Sequence, residues 1–233
     1  MLSKANLLGY VIENISRIKA RVHVATAKAG IKAESVKIIA VTKNVPIEYM
    51  KIVLNENIFD FAENKVQELI KKYDIFHKQC SWHFIGRLQT NKVKYIIDKV
   101  CLIHSVDRLE LLREIDKRAA SIGICMDVLV QVNVSGELTK AGIEKKDLLT
   151  FLREASTYEN IKIKGLMTMA PHFTDAEKSR LVFSELREIA IDIKRESIHN
   201  VFMDFLSMGM SDDFDIAIEE GSNLVRVGSA IFT

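Results

Sequence analysis

The sequence predicts an α/β protein built as a single (β/α)8 TIM barrel with an extra N-terminal helix. Short β-branched or apolar runs alternate strictly with helical patterns along all 233 residues, and eight such runs can be counted. Eight parallel strands are the number that closes a barrel, whereas a doubly wound open sheet is the alternative. No long linker divides the chain, so one domain spanning residues 1–233 is expected.

The extra helix precedes the first strand and ends at Gly30. Its apolar residues recur at helical spacing, at Leu7, Leu8, Val11, Ile15, Ile18 and Val22. Glu13, Arg17 and Lys19 interrupt this pattern, so the helix lacks the apolar core of a secretion signal. A basic helix of this kind also resembles a transit peptide, but the same helix could close the bottom of a barrel. We expect the barrel role and a cytoplasmic protein.

The first strand is predicted within residues 36–46, an apolar run that stops at a proline. Lys43 lies near its carboxyl end, on the same face as Ile39 and Val41. In barrels the active site is built where the strands end. Partial burial there would lower the pKa of the amine and make it a nucleophile toward an aldehyde. A lysine that leans into solvent is the alternative.

The remaining units repeat the order of strand, polar tip and helix. The predicted strands cover residues 58–64, 82–86, 100–106, 126–134, 161–169, 202–208 and 224–227. The predicted helices cover residues 46–54, 65–77, a stretch from 89, and then 108–121, 145–156, 174–195 and 212–220.

Polar side chains stand at the predicted carboxyl ends of these strands. Besides Lys43 they are Asn64, His83, Ser105, Asn133, Thr168, Ser207, and Arg226 with Ser229. Taken singly, Asn64 would be a turn or cap residue and His83 a satisfied core histidine. Because function concentrates at this end of a barrel, their convergence predicts a site instead.

Two stretches late in the chain predict a phosphate site, because barrels commonly bind phosphate with the loops after strands seven and eight. The small or hydroxyl residues in these loops are Ser207, Gly209, Ser211, Gly228 and Ser229. Ser211 would also cap the following helix. Asp212 and Asp213 complement the dipole of that helix and argue against a phosphate directly on its end.

Arg226 is predicted to point into the barrel, because alternation places Val225 and Val227 on the opposite face. A buried guanidinium needs a partner, and an arginine can face the pyridine nitrogen of pyridoxal phosphate (PLP). The alternative is a salt bridge to a carboxylate such as Glu63 or Glu220.

The composition excludes several classes of protein. The 33 basic and 31 acidic residues leave a net charge of +2, so neither a nucleic acid nor a membrane surface is expected as a partner. Cys80, Cys101 and Cys125 show no Cys-x-x-Cys spacing, which fits reduced thiols and no metal site. No run of apolar residues reaches the length of a membrane span.

The sequence resembles the pyridoxal-phosphate homeostasis protein family, which in turn resembles the N-terminal barrel of alanine racemase. The matching stretches are residues 40–46, 63–68, 83–92, 132–133, 140–142, 165–170, 206–211 and 225–228. One departure is Ala62, which stands where the family pattern has glycine.

The resemblance implies PLP held as a Schiff base on Lys43, with Arg226 facing the pyridine nitrogen. It further implies that Asn64 and His83 line the ring. The phosphate would be surrounded by Ser207, Gly209, Ser211, Gly228 and Ser229.

Three functions follow from these observations. The first is a PLP-binding protein that buffers or delivers the cofactor without established turnover, with PLP-dependent enzymes as possible clients. The second is an amino-acid racemase, which in the related enzyme also uses a second, β-rich domain and an opposing tyrosine, whereas this chain ends at its eighth strand. The third is a barrel enzyme that forms a lysine Schiff base with a sugar phosphate. We expect the first, in a monomer.

Overall fold

The computed structural model describes residues 4–137, 141–171 and 173–233. Lys140, part of one stretch that carries the family resemblance, lies outside these residues, and so do the side chains of Leu7 and Leu8. Within the described part of the chain, no helix is both long and apolar enough to cross a membrane.

Eight parallel strands form a closed ring, which confirms the predicted barrel. They are β1 (Lys37–Val41), β2 (Asp60–Glu63), β3 (Ser81–Phe84), β4 (Leu102–Val106), β5 (Met126–Asn133), β6 (Ile161–Met167), β7 (Val201–Ser207) and β8 (Leu224–Val227). Each strand pairs with the next one along the chain, and β8 pairs with β1 to close the ring. A further two-residue strand, Ile143–Glu144, pairs with the end of β5.

The helices follow the strands in the predicted order, but several begin later than predicted and one stretch takes another form. They are α1 (Lys4–Ala29), α2 (Ile47–Asn55), α3 (Val66–Phe76), α4 (Leu109–Ser121), α5 (Leu148–Ala155), α6 (Ser179–Arg195), α7 (Phe214–Glu219) and α8 (Ser229–Phe232). The stretch after Gln89 is a short 3₁₀ helix, Thr90–Tyr95. Helices α5, α6 and α7 begin three, five and two residues later than the sequence predicts.

Helix α1 does not close the bottom of the barrel. It packs against α7, α2 and α8, within the outer layer of helices. Arg21 of α1 forms an ion pair with Asp215 of α7, and Asn14 donates a hydrogen bond to the carbonyl oxygen of Ile231. Because α8 has only four residues, α1 lies between α7 and α2, in the place of a full eighth helix.

The core has two layers, as the alternation of strand residues requires. The outer layer lies between strands and helices and holds the largest buried side chains, among them Phe61, Trp82 and Phe84. The inner layer fills the ring with Ile39, Val41, Ala62, Leu102, Leu129, Met167 and Leu224. Ala62 is fully buried in this inner layer, so the fold accommodates the methyl group at the position of the family glycine.

Candidate functional site

A cavity of about 440 Å³ opens at the carboxyl ends of the strands. Six of the nine residues predicted from the sequence line it: Lys43, Asn64, Ser211, Arg226, Gly228 and Ser229. Sequence reasoning missed the other side chains that line the same cavity, including Arg87, Gln131, Met169, Met210 and Asp212. The side chains of Lys43 and Arg226, which come from opposite ends of the chain, therefore face one space.

Lys43 lies at the mouth of this cavity and is exposed. The partial burial considered from the sequence is therefore not observed, and the side chain leans toward solvent as in the alternative. The reason is local: β1 ends at Val41, and Asn44 adopts a φ of 60°, so the chain leaves the barrel around Lys43. A second cavity of about 300 Å³ shares Lys43, Gly228 and Ser229 and is also lined by Tyr49.

A buried ion pair fixes the backbone on both sides of the site. The Nζ of Lys72 donates to the carbonyl oxygen of Thr42 at 2.6 Å and to the Oε1 of Glu63 at 2.7 Å. The hydroxyl of Thr42 donates to the same carboxylate oxygen at 2.6 Å. Helix α3 thus holds the residues that immediately precede Lys43 and Asn64.

Asn64 presents an acceptor that lacks a partner. Its Oδ1 is buried and makes no hydrogen bond among the described residues. Gly86 lies so close that a Cβ at this position would stand 2.0 Å from the carbonyl oxygen of Asn64. Since buried polar atoms are rarely left unpaired, the Asn64 side chain fits a ligand that brings a hydrogen-bond donor into the cavity.

Arg226 points into the barrel while Val225 and Val227 face the helices, as the alternation predicts. Its side chain is 3% exposed. One Nη atom donates to the Oγ of Ser207 at 2.6 Å, and the other donates to the carbonyl oxygen of Thr168 at 2.9 Å. Burial lowers the pKa of Arg226 to about 10, although the charge of Asp213 acts in the opposite direction.

The predicted alternative, a salt bridge from Arg226 to Glu63 or Glu220, is wrong. Glu63 pairs with Lys72, and Glu220 accepts a hydrogen bond from Arg180 at 2.8 Å. Across residues 4–137, 141–171 and 173–233, no carboxylate forms an ion pair with Arg226. A buried cation held only by neutral acceptors can attract an electron-rich atom of a ligand.

His83, Ser207 and Gly209 do not line the cavity. His83 is buried inside the barrel, and its ring nitrogens lie 3.0 Å from Asp60 and 3.0 Å from His104. This geometry is that of a satisfied core histidine, the alternative considered for this residue. A direct ligand contact from any of the three stays a prediction.

Ser207 and Gly209 instead surround Arg226. The Oγ of Ser207 contacts the Arg226 side chain, and the carbonyl oxygen of Gly209 accepts a hydrogen bond from the Arg226 backbone at 3.1 Å. Gly209 has a φ of 89°, and a Cβ there would lie 2.6 Å from the Cβ of Ala217. Glycine is therefore required for the loop to pack on α7.

Ser211 does not cap α7, contrary to the prediction. Its Oγ accepts hydrogen bonds from the backbone N–H groups of Gly228 at 3.2 Å and Ala230 at 3.1 Å. Asp213 stands at the start of α7, where its carboxylate accepts from the N–H of Met210 at 2.7 Å. Because the Ser211 oxygen acts as an acceptor in both bonds, its own hydrogen remains to be donated.

The described residues contain no group of three or more histidine, cysteine or acidic side chains that could hold a metal ion. The polar side chains around the cavity are instead one amine, two guanidinium groups, two amides, two hydroxyls and one carboxylate, contributed by Lys43, Arg87, Arg226, Asn64, Gln131, Ser211, Ser229 and Asp212. This set suits an anionic organic ligand with a reactive carbonyl group.

Comparison with known proteins shows first which type of barrel this chain forms. The sequence profile of the alanine racemase N-terminal domain matches residues 13–233. A solved alanine racemase from Clostridium difficile superimposes with a TM-score of 0.74 at 16% identity, covering 96% of this chain and 56% of the racemase. At that identity the likeness shows the fold alone, which is the barrel of alanine racemase.

More similar proteins define the family. A pyridoxal phosphate homeostasis protein from Aquifex aeolicus is 44% identical over 221 residues, which are 94% of this chain and 96% of the relative. The structure of PipY from Synechococcus elongatus with PLP bound has a TM-score of 0.80 at 30% identity and covers 93% of this chain and 100% of PipY. This chain belongs to the pyridoxal phosphate homeostasis protein family.

Proposed function

We propose that this protein binds PLP, holds it as a Schiff base on Lys43, and buffers or delivers it inside the cell. The observation that carries the proposal is that Lys43 and the buried, carboxylate-free Arg226 line one cavity. The relationship to a homeostasis protein and to PLP-bound PipY supports the choice of ligand.

Different residues of the cavity suit different parts of the cofactor. PLP supplies an aldehyde, which a lysine amine can attack, and a pyridine ring that can withdraw electrons. The Arg226 guanidinium carries five N–H groups, of which Ser207 and Thr168 each take one, so others can face the pyridine nitrogen. The free hydrogen of Ser211 and the exposed hydroxyl of Ser229 suit the phosphate.

Arg226 also argues for storage rather than turnover. A guanidinium with a pKa of about 10 keeps its proton at neutral pH, so with PLP bound it would donate to the pyridine nitrogen and that nitrogen would stay unprotonated. An unprotonated ring is a weaker electron sink. The absence of turnover is therefore part of the proposal.

The decisive experiment compares the visible absorption spectra of the wild type and Lys43→Ala after incubation with PLP. The wild type is expected to show a new visible band, and Lys43→Ala is expected to lose it. Lys51→Ala, an exposed lysine on α2 outside both cavities, serves as the matched control and should retain the band. Borohydride reduction and mass spectrometry should then locate the added mass on Lys43. A band that survives in Lys43→Ala would refute the assignment.

One observation favours a racemase as a second function: Tyr49 and Lys43 line the same neighbouring cavity. A tyrosine opposite the lysine could act as a second proton-transfer group. Measurable racemization of alanine that is abolished by both Lys43→Ala and Tyr49→Phe would establish this function. We expect no such turnover.

A further inference from the structure

A chain of polar side chains crosses the interior of the barrel and reaches the cavity. We call it the polar seam; its members are Asp60, His83, His104, Ser207 and Arg226. Successive atoms lie at hydrogen-bond distance: Asp60 Oδ1 to His83 Nε2 at 3.0 Å, His83 Nδ1 to His104 Nε2 at 3.0 Å, and His104 Nδ1 to Ser207 Oγ at 2.9 Å. The last link joins Ser207 Oγ to the Arg226 guanidinium at 2.6 Å.

The middle of the polar seam is sealed from solvent. His104 and Ser207 are 0% exposed, and His83 is 3% exposed. Such groups must satisfy their hydrogen bonds with one another, since water cannot replace a missing partner. The direction of each bond is therefore set by its neighbours.

The titratable groups that face the two histidines come from several strands. Asp60 of β2 and Cys101, just before β4, flank His83, and the Cys101 Sγ lies 3.6 Å from its Nε2. His104 experiences the charges of His83 and of Arg226 on β8. Farther out, Lys37 and Cys80 face Asp60, with the Lys37 amine 3.8 Å from the carboxylate.

These surroundings shift the pKa values of the two histidines in opposite directions. Burial alone would lower the pKa of His83, but the hydrogen bond to Asp60 and the contact with Cys101 outweigh burial and raise it to about 9. The pKa of His104 lies well below its usual range, because of burial first and then the charges of His83 and Arg226. At neutral pH His83 therefore carries two protons and His104 carries one.

With His83 doubly protonated, one arrangement satisfies the polar seam. His83 donates from Nδ1 to His104 Nε2, so the single proton of His104 must be on Nδ1 and is donated to Ser207. The Ser207 oxygen then accepts from both His104 and Arg226. Its own hydrogen is left without a role in the polar seam.

Removing one proton from His83 reverses the direction of two hydrogen bonds in the polar seam, those that join His104 to His83 and to Ser207. His83 keeps the Nε2 proton for Asp60, and its Nδ1 becomes an acceptor. His104 must then carry its proton on Nε2, and its Nδ1 accepts the hydroxyl hydrogen of Ser207. All four bonds now run in one direction, from Arg226 to Asp60.

We propose that Asp60, His83, His104 and Ser207 form a hydrogen-bond relay that positions the Arg226 guanidinium at the cavity, in an arrangement set by the protonation of His83. His83, His104 and Ser207 are positioning residues that act through Arg226. The relay itself is a property of the protein, whereas its effect on PLP rests on the proposed function.

The relay is tested first without PLP. Nitrogen NMR of the full chain labelled with ¹⁵N-histidine, recorded from pH 6 to pH 10, reports which nitrogen of each ring carries a proton. The proton of His104 is expected to move from Nδ1 to Nε2 at the same midpoint at which His83 titrates. His104 that keeps one tautomer while His83 titrates would overturn the relay.

Asp60→Asn tests whether His83 and His104 are coupled, because Asp60 lies at the end of the polar seam opposite Arg226. Because an opposite charge within 4–6 Å shifts a pKa by about one to three units, the common midpoint should fall by at least about one pH unit. Asp127→Asn is the matched control, because Asp127 also lies at the start of a strand but outside the polar seam, and it should leave the midpoint unchanged. A shift of the His83 midpoint that His104 does not follow would contradict the coupling.

The effect of the relay on the cavity is tested by measuring the dissociation constant of PLP between pH 6 and pH 10. The wild type and Asp60→Asn are compared under identical conditions, so a displacement between the two profiles reports the loss of the Asp60 charge. The displacement should match the NMR shift. Ser207→Ala should weaken binding by about tenfold, the loss typical of a hydrogen bond to a charged group, and should abolish the displacement.

The outcomes separate the two proposals. Coupled tautomers in a protein that binds no PLP at any pH would overturn the proposed function and leave the relay standing. PLP binding with identical pH profiles in the wild type and Asp60→Asn would overturn the effect of the relay on the site. The Asp60→Asn measurements decide the matter even if Ser207→Ala fails to fold.

Discussion

At the scale of single residues, Arg226 stands out because its hydrogen-bond partners are neutral. The hydroxyl of Ser207 and the carbonyl oxygen of Thr168 hold the two Nη atoms of its planar group. Burying a charge without a counter-ion is costly, and proteins tolerate this mostly where a ligand uses the charge. Arg226 therefore presents a buried cation to the cavity without a carboxylate partner among the described residues.

Replacing Arg226 by lysine should destabilise the protein. A lysine amine has no planar fork, so it cannot reach both Ser207 and Thr168 with the same geometry. We expect the free energy of unfolding, measured by urea denaturation, to fall by about 1–3 kcal/mol. Arg113→Lys, at an exposed position on α4, is the control and should change it by less than about 0.5 kcal/mol. An unchanged stability in Arg226→Lys would argue against the two-point contact.

The orientation of Arg226 could be predicted from the sequence, whereas the exposure of Lys43 could not be decided from it, for physical reasons. Alternation along a strand is enforced by backbone geometry, so Val225 and Val227 on one face required Arg226 on the other. Exposure after a strand depends on where the chain leaves the sheet. The positive φ of Asn44 turns the chain at Lys43, and although asparagine tolerates this conformation, an apolar run that continues to a proline favours a strand through the same position.

At the scale of elements, helix α3 is tied to the site by the Glu63 and Lys72 ion pair. Lys72 is 4% exposed, although it lies on a helix whose outer face meets solvent. It occupies the buried stripe between Leu69 and Phe76, three residues after the first and four before the second. That spacing was visible in the sequence, but a lysine in an apolar stripe is commonly assumed to reach solvent.

Lys72→Met should leave the Glu63 carboxylate buried without a counter-ion. Breaking one side of such a pair typically costs about 3–5 kcal/mol, which should appear as a lower free energy of unfolding. Lys71→Met changes an exposed neighbour on the same helix and should have little effect. The double variant Glu63→Gln and Lys72→Met should recover part of the loss. Equal stabilities for Lys71→Met and Lys72→Met would disprove this account.

The same element-level reasoning explains what sequence analysis missed in the barrel interior. Ser105 was identified as the polar residue of β4, yet alternation from Leu102 turns His104 inward beside His83. Two histidines on facing interior positions can be deduced only once the register of β3 and β4 is known. That register is a tertiary property, set by Leu102 lying opposite His83.

At the scale of the whole molecule, the polar seam should make stability depend on pH. The pKa of His83 is raised to about 9 in the folded state, above its ordinary value of 6.5. A raised pKa stabilises the fold fully below pH 6.5, and this contribution is lost as the pH rises through 9. We expect the free energy of unfolding to fall by up to about 3 kcal/mol across this interval.

Denaturation curves at pH 6, 7.5 and 9.5 measure this dependence. Asp60→Asn should be less stable than the wild type at pH 6 and should approach it at pH 9.5, because the variant lacks the interaction that keeps His83 charged. A constant difference between the two proteins over this range would show that His83 is not responsible.

The closure of the ring by β8 and β1 also limits when the barrel can form during synthesis. Lys37 pairs in register with Leu224, so the closing edge of the cylinder joins segments separated by most of the chain. A ribosome must synthesise residues 224–227 before the first strand gains its second neighbour. Until then β1 and β7 present open edges that invite aggregation. Closure of the cylinder is therefore a late event that cannot precede the synthesis of β8.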